Sequence, residues 1–289
     1  MMQRLLICTD LDRTLIPNGP QPVSSESLAH LTLLVARPEV ELAYVSGRDR
    51  GMVEDAISNF TLPQPDYVVA DVGTTIYHVV PDQDWQRQTA WEEEIASDWG
   101  GKTHADIESL LSDLPGLRLQ EYSKQNQYKL SYYVPQKIDQ SAMSILIRER
   151  LEEAGVRASL IWSIDEPNAI GLLDILPERA TKYHAVKALM AQNGFDLSCT
   201  VFCGDSGNDL EALASPVSSV LVANAQDEVK LIAREMAMSN GQDDQLYIAQ
   251  GNFMGMNGNY SAGILEGIAH YYPETIGWMG FASQSSMKL

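Results

Sequence analysis

Two aspartates two residues apart, Asp10 and Asp12, close the apolar run of LLICTDLDRTL (5–15). A carboxylate at the end of a buried-type strand is costly unless something there uses it. Two of them ask for a cation, a proton-transfer task, or both. At i and i+2 on an extended backbone they face the same way, and one bend at the strand end lets them diverge around a shared centre. A calcium loop starting at Asp10 fails, because its sixth position is not glycine and its twelfth is Gln21 rather than Glu. A second acidic cluster lies in CGDSGNDLEAL (203–213), with Asp205 at a strand end and Asp209 in the first helical turn. Carboxylates brought together on one rim repel strongly unless a hard divalent ion sits among them. Mg²⁺ fits best, with few protein oxygens, several retained waters and a substrate phosphate.

Other residues could handle an anion beside that ion. Ser46 and Gly47 end another strand, within YVSGRDRG (44–51), where a hydroxyl and a backbone N–H at a helix start can hold phosphate oxygens. Taken alone, the same stretch also reads as a tight turn with a helix cap. Lys182 opens a helix in PERATKYHAVKAL; alone it reads as a solvated lysine, but on the acidic rim it would neutralise phosphate and nucleophile together. The five histidines show no metal-ligand spacing and read as structural or surface groups. The chain carries no G-x-S-x-G elbow, no G-x-x-x-x-G-K-[ST] loop and no glycine fingerprint after the first strand.

The elements that must position these groups follow from hydrophobic pattern. Apolar runs at 4–10, 40–47, 66–73, 200–205 and 218–224 lack polar alternation and read as buried parallel strands. Helical stretches at about 24–36, 49–58, 207–214 and 226–236 follow several of them. This alternation predicts an α/β fold, a doubly wound, mainly parallel Rossmann-like sheet with ligands outside the carboxyl ends of its strands. Those ends carry Asp10 and Asp12, Ser46, Asp71 and Asp205. From 81 to 176 the strands alternate, as in LRLQEYS, NQYKLSYYV, RASLIWSID and AIGLLDILP, with helices at about 85–98, 103–113 and 138–154. This reads as an inserted α+β domain between core segments 1–80 and 177–289, its antiparallel sheet covered by helices on one side. QGNFMGMNGNYSAG (250–263) reads as a mobile loop before a last helix at 261–271.

Four motifs in order now stand on the page: D-x-D-x-T (10–14), a strand ending in Ser46, Lys182, and G-D-x-x-x-D (204–209), with the insertion between the second and third. Together they resemble the haloacid dehalogenase superfamily phosphatases with a large α+β cap. PDYVVADVGTTIYH (65–78), DILPERATK (174–182), CGDSGND (203–209), VANAQ (222–226) and SAGILEGIAHY (261–271) narrow the resemblance to sucrose-phosphate phosphatases and their mannosylfructose-phosphate relatives. The resemblance implies that Asp10 attacks phosphorus and that Asp12 protonates the leaving oxygen and later activates water. It implies Mg²⁺ held by Asp10, the Asp12 carbonyl and Asp205, with Asp209 and Asn208 supporting that shell or touching phosphate. Ser46, Gly47 and Lys182 would hold the phosphoryl group, and Thr14 would orient the loop. Arg13 and Tyr183 stand where relatives carry glycine or asparagine, and glycine; both are expected near the mouth of the site. The cap would select the sugar, with Lys129, Ser131 and Trp162 as candidate contacts. Sucrose 6-phosphate is the expected substrate, mannosylfructose phosphate its competitor, and an upstream sucrose-phosphate synthase a possible partner. A third reading is an inactive module that binds a glycosyltransferase.

Composition bounds these readings. The 289 residues are 45% hydrophobic, enough for a sizeable core. A net charge of −19 with a pI near 4.5 argues against nucleic acid and anionic membranes as partners. Cys8, Cys199 and Cys203 read as reduced thiols of a cytoplasmic protein. No run is long and apolar enough to span a membrane.

Overall fold

A computed structural model describes residues 4–165 and 168–281; the ends of the expected core segments, 1–3 and 282–289, lie outside the described residues. The strands are β1 (Leu5–Thr9), β2 (Val40–Val45), β3 (Tyr67–Ala70), β4 (Thr75–His78), β5 (Gln86–Arg87), β6 (Arg118–Leu119), β7 (Leu130–Val134), β8 (Ala158–Asp165), β9 (Ile170–Pro177), β10 (Thr200–Gly204), β11 (Ser218–Leu221) and β12 (Leu246–Ile248). The helices are α1 (Ser27–Val35), α2 (Arg50–Phe60), α3 (Thr89–Ala96), α4 (His104–Leu111), α5 (Gln140–Glu153), α6 (Lys182–Asn193), α7 (Leu210–Leu213), α8 (Asp227–Ser239) and α9 (Ser261–Tyr271).

Eight strands form the main sheet in the order β12-β11-β10-β1-β2-β3-β4-β5. Pairing is parallel from β12 to β3 and antiparallel from β3 to β5. The central strand β1 is buried along its whole length, and its side chains divide between two cores. Leu5 and Ile7 pack with Leu31, Val53 and Ile264 from α1, α2 and α9. Leu6 and Cys8 pack with Trp91, Val186 and Ala233 from α3, α6 and α8 on the other face. Burial on both faces is why these strands read as continuous apolar runs. Because β2 lies on one side of β1 and β10 on the other, the carboxyl ends of β1 and β10 meet at the topological switch point.

The second sheet, β6-β7-β9-β8, is antiparallel. One face buries Leu130, Tyr132, Leu173 and Ile175 against Ile107 and Leu111 of α4 and Ile147 and Leu151 of α5. Its other face stands over the carboxyl ends of the main sheet, so a core with an α+β cap is observed.

Local differences have local causes. The strand expected at 66–73 stops at Ala70, because Asp71 (φ 54°) and Val72 (φ 62°) turn into the left-handed region. LRLQEYS gives two paired residues and then a 3₁₀ turn at Tyr122–Lys124. Within the helix expected at 85–98, Gln86–Arg87 instead pair with β4, so the main sheet runs past residue 80. The helix expected at 207–214 opens as a 3₁₀ turn, Gly207–Asp209. The segment 250–263 is tied down rather than standing free: buried Glu266 accepts from Tyr247 Oη and from the N–H groups of Gln250 and Gly251.

Candidate active site

The site is built where β1, β2 and β10 end. Asp10 follows β1, and its N–H donates to Cys203 O of β10 (2.9 Å), which fixes it beside Asp205. Lys182 enters from the first turn of α6, whose N-cap Thr181 accepts from His184 N. The ammonium is buried, 3% exposed, and donates to Asp10 Oδ1 (2.8 Å), Asp209 Oδ1 (2.7 Å) and Asn208 Oδ1 (3.3 Å). The other oxygen of Asp209 accepts from the backbone N–H groups of Asp205 and Ser206, both at 3.0 Å. Gly204 permits this, since a Cβ there would lie 2.6 Å from Asp209 Cγ. Asp205 accepts from Thr14 Oγ1 at 3.2 Å, so Thr14 braces the second acidic cluster as well as its own loop.

Ligand oxygens of Asp10, Asp205 and Asp209 lie within 4.8 Å of one another, all three buried. Burial pushes the Asp10 carboxyl up to about 7, with Lys182 opposing and Asp209 and Asp205 adding to the rise. Burial and then Asp209 push Asp205 up to about 6. Burial would also raise Asp12, but Arg48, through its hydrogen bonds and charge, and the Asn18 amide hold it below the usual carboxylate range. Arg48 grips Asp12 as a fork at 2.8 and 2.7 Å, and Asn18 Nδ2 donates to it at 2.7 Å. A nucleophilic Asp10 beside an acidic Asp12 requires the opposite order of proton affinities. A hard cation on the all-oxygen set would restore it by lowering Asp10, so these residues fit Mg²⁺.

Above this rim lies a cavity of about 440 Å³, lined from below by Asp10, Asp12, Ser46, Gly47, Asp205 and Asn208. Lys124, Lys129, Tyr133, Asp165, Leu172 and Asp174 line it from the cap. Ser46 is held by its N–H to Val69 O (2.9 Å), and its hydroxyl accepts from Arg48 N (3.2 Å). Arg13 reaches the cavity, while Tyr183 lies against the core beside Lys187 instead of at the mouth. Lys129 lines the cavity. Ser131 shares its strand face but is fully buried, donating to Asp174 Oδ1 (2.5 Å) and to Lys124 O (3.2 Å). It therefore props cavity-lining neighbours. Trp162 points the other way, into the cap core, with Nε1 donating to Ser144 Oγ (2.9 Å), so it is no stacking plate. A larger cavity, about 900 Å³, lies on the cap between Thr103, His104 and Tyr122–Tyr128, away from the carboxylates.

Arg48 is a site residue absent from the expected set; an arginine two residues after a strand-end serine is the cue that its position offers. Asn18, Asp174 and Asn224 gave no cue, since each is placed by partners distant in the chain or by a turn.

A family model described as sucrose-6F-phosphate phosphohydrolase matches residues 3–272. The chain belongs to this family. Its members are phosphatases of the haloacid dehalogenase superfamily, and the chain is accordingly a hydrolase with that fold. A HAD-like hydrolase of Nitrosococcus oceani is 50% identical over 287 residues, covering 99% of this chain and 76% of that protein. Sucrose-phosphatase 2 of Nicotiana tabacum is 31% identical over 78% of this chain. The match spans 52% of the tobacco protein, about half its length. Mannosylfructose-phosphate phosphatase of Agrobacterium fabrum is 26% identical, over 92% of this chain and 96% of that one. Among solved structures, the sucrose-phosphatase of Synechocystis in complex with sucrose and phosphate aligns with TM-score 0.72 and 27% identity, covering 93% of this chain and 98% of that one.

Proposed function

We propose that the chain is a Mg²⁺-dependent phosphomonoesterase that hydrolyses sucrose 6-phosphate to sucrose and phosphate through an aspartyl-phosphate on Asp10. The observation that carries this reading is Lys182, buried and bridging Asp10 and Asp209 beneath a cavity roofed by the cap. Asp10, the backbone carbonyl of Asp12 and Asp205 would hold the cation, with Asp209 behind them; when bound, it supplies positive charge at the transferring phosphoryl group. An oxygen of Asp10 forms the bond to phosphorus as the bond to the sugar oxygen breaks, and Asp12 gives that oxygen its proton. Asp12 then takes a proton from the water that attacks the acyl phosphate, releasing phosphate and restoring Asp10. To carry the first proton, Asp12 must leave the fork of Arg48. Ser46, the Gly47 N–H, Lys182 and Asn208 hold the phosphoryl oxygens, the charge stabilisation that dominates such reactions.

The cap, the β6-β7-β9-β8 sheet with α4 and α5, selects the sugar through its open face, with Lys129 as one contact. The upstream glycosyltransferase, a sucrose-phosphate synthase, would supply the substrate, and the buried free cysteines suit the cytoplasm. Among the described residues, no helix is long and apolar enough to cross a membrane.

The test is phosphate release with Mg²⁺ from sucrose 6-phosphate, mannosylfructose phosphate, trehalose 6-phosphate, glucose 6-phosphate and fructose 6-phosphate. A kcat/KM preference for sucrose 6-phosphate of about a hundredfold, roughly 2.7 kcal/mol of discrimination, is expected. A preference of that size for mannosylfructose phosphate would establish the second reading, which the full-length match to the Agrobacterium enzyme favours. Slow, equal rates on all five would refute both.

A further inference from the structure

Asp10, Asp12, Asp205 and Asp209 each face a basic side chain of this chain. Lys182 serves Asp10 and Asp209, and Arg48 serves Asp12. Asp205 is left with Arg13, whose Nε lies 3.5 Å from Asp205 Oδ2. That Nε is sealed from solvent and has no hydrogen-bond acceptor, so it is held by charge and placement alone.

The placement is enforced from the backbone. Arg13 sits at φ 60°, a left-handed conformation that costs an arginine more than glycine or asparagine. Its N–H donates to Asn18 Oδ1 (2.8 Å) and Ile16 O (3.1 Å). Its carbonyl accepts from Asn224 Nδ2 (2.6 Å), and Asn224 Oδ1 accepts in turn from Tyr260 N (2.8 Å). The 250–260 segment and the loop before α8 thus clamp a strained residue so that its guanidinium meets one carboxylate. Strain kept in this way marks a residue whose position matters.

We propose that Arg13 is a built-in counter-charge of the cation site: it neutralises Asp205 when no divalent ion is bound and so weakens the affinity of the site for Mg²⁺. This rests on the reading of Asp10, Asp205 and Asp209 as that site. A guanidinium and a divalent ion compete for the same carboxylate charge. Removing the guanidinium raises the free energy of the metal-free protein more than that of the loaded one, and binding tightens by the difference.

The experiment titrates Mg²⁺ calorimetrically into the EDTA-stripped full chain, with melting followed in EDTA and in saturating Mg²⁺. Wild type is compared with Arg13→Gln, Arg13→Lys and Arg13→Asn. The last tolerates the left-handed backbone and so keeps the test open if the glutamine variant folds poorly. Arg13→Gln and Arg13→Asn should bind Mg²⁺ about five- to tenfold more tightly, the low end of ordinary site coupling. Arg13→Lys should stay near wild type. Arg13→Gln should melt below wild type in EDTA, and the gap should close in Mg²⁺. Unchanged or weaker binding in both neutral variants would overturn the proposal, as would a melting deficit equal in the two conditions. Absence of Mg²⁺ binding in wild type would overturn the cation site itself, a different failure from wild type binding with no response to Arg13.

Discussion

At Asp10, burial raises the carboxyl and Lys182 pulls it back, and the raised value wins while no cation is present. The residue therefore sits between a protonated acid and a nucleophile, and small changes around it decide which. Asp10→Asn keeps the side-chain shape and an oxygen for Lys182 but removes the oxyanion that the proposed mechanism uses as its nucleophile. Turnover should fall by more than about a thousandfold while the melting temperature stays close to wild type. Phosphate release and a thermal melt on the same sample check both halves, and near-normal rates would reject Asp10 as nucleophile. Arg48 matters at the same scale, because its fork fixes both the direction and the ionisation of Asp12.

Between elements, the decisive group is Asp98, a buried carboxylate just after α3 with no local pattern to single it out. Its oxygens accept from the guanidinium of Arg157 before β8 and from Arg179 N (2.9 Å) and Nε (3.0 Å) after β9. Its own carbonyl accepts from Arg157 N (2.7 Å). One side chain thus ties the end of core helix α3 to the open end of the β8–β9 hairpin, where β8 begins and β9 finishes, and sets where the cap sheet stands over the rim. Asp98→Asn leaves Arg179 N–H contacts poorly matched and should cost about 1–3 kcal/mol of stability. Urea unfolding measures this, and a midpoint equal to wild type would mean the node is solvated rather than structural. A second link, Asn126 Nδ2 donating to Thr74 Oγ1 (2.9 Å), joins the cap to the core on the cavity side.

For the molecule as a whole, charge dominates. Asp10 and Asp205 titrate above the ordinary carboxylate value near 4, so the folded metal-free protein binds protons that the unfolded chain does not. Their contribution to stability is present below that ordinary value and is lost as pH rises through about 6 to 7. In EDTA the melting temperature should therefore fall from about pH 5 to about pH 8. Mg²⁺ should flatten the curve, and so should Asp205→Asn in EDTA; a rise with pH would contradict the arrangement. The net charge of −19 would also slow approach of a dianionic ester, and buried Lys182, the Arg13, Arg48, Lys124 and Lys129 side chains around the cavity and the proposed cation would offset it locally. Moderate salt should leave kcat/KM unchanged or raise it, whereas a steep fall would reveal a positive steering surface.

The linear chain determined the core because its strands are buried on both faces, and a strand that cannot tolerate polar side chains writes itself as an apolar run. It also determined which residues end those strands, hence the meeting of Asp10, Ser46 and Asp205, since strand order in a doubly wound sheet brings carboxyl ends to one rim. Tertiary structure alone decided which long side chains turn inward. Lys182 reads as a surface lysine until α6 packs and buries it, and Ser131 and Trp162 take their faces only when β7 and β8 find their partners. Arg13 and Arg48 pair with carboxylates from other strands or loops, and Asp98 with arginines about 60 and 80 residues away. Such partnerships leave no local periodicity, because they depend on the distance between folded elements and not on spacing along the chain.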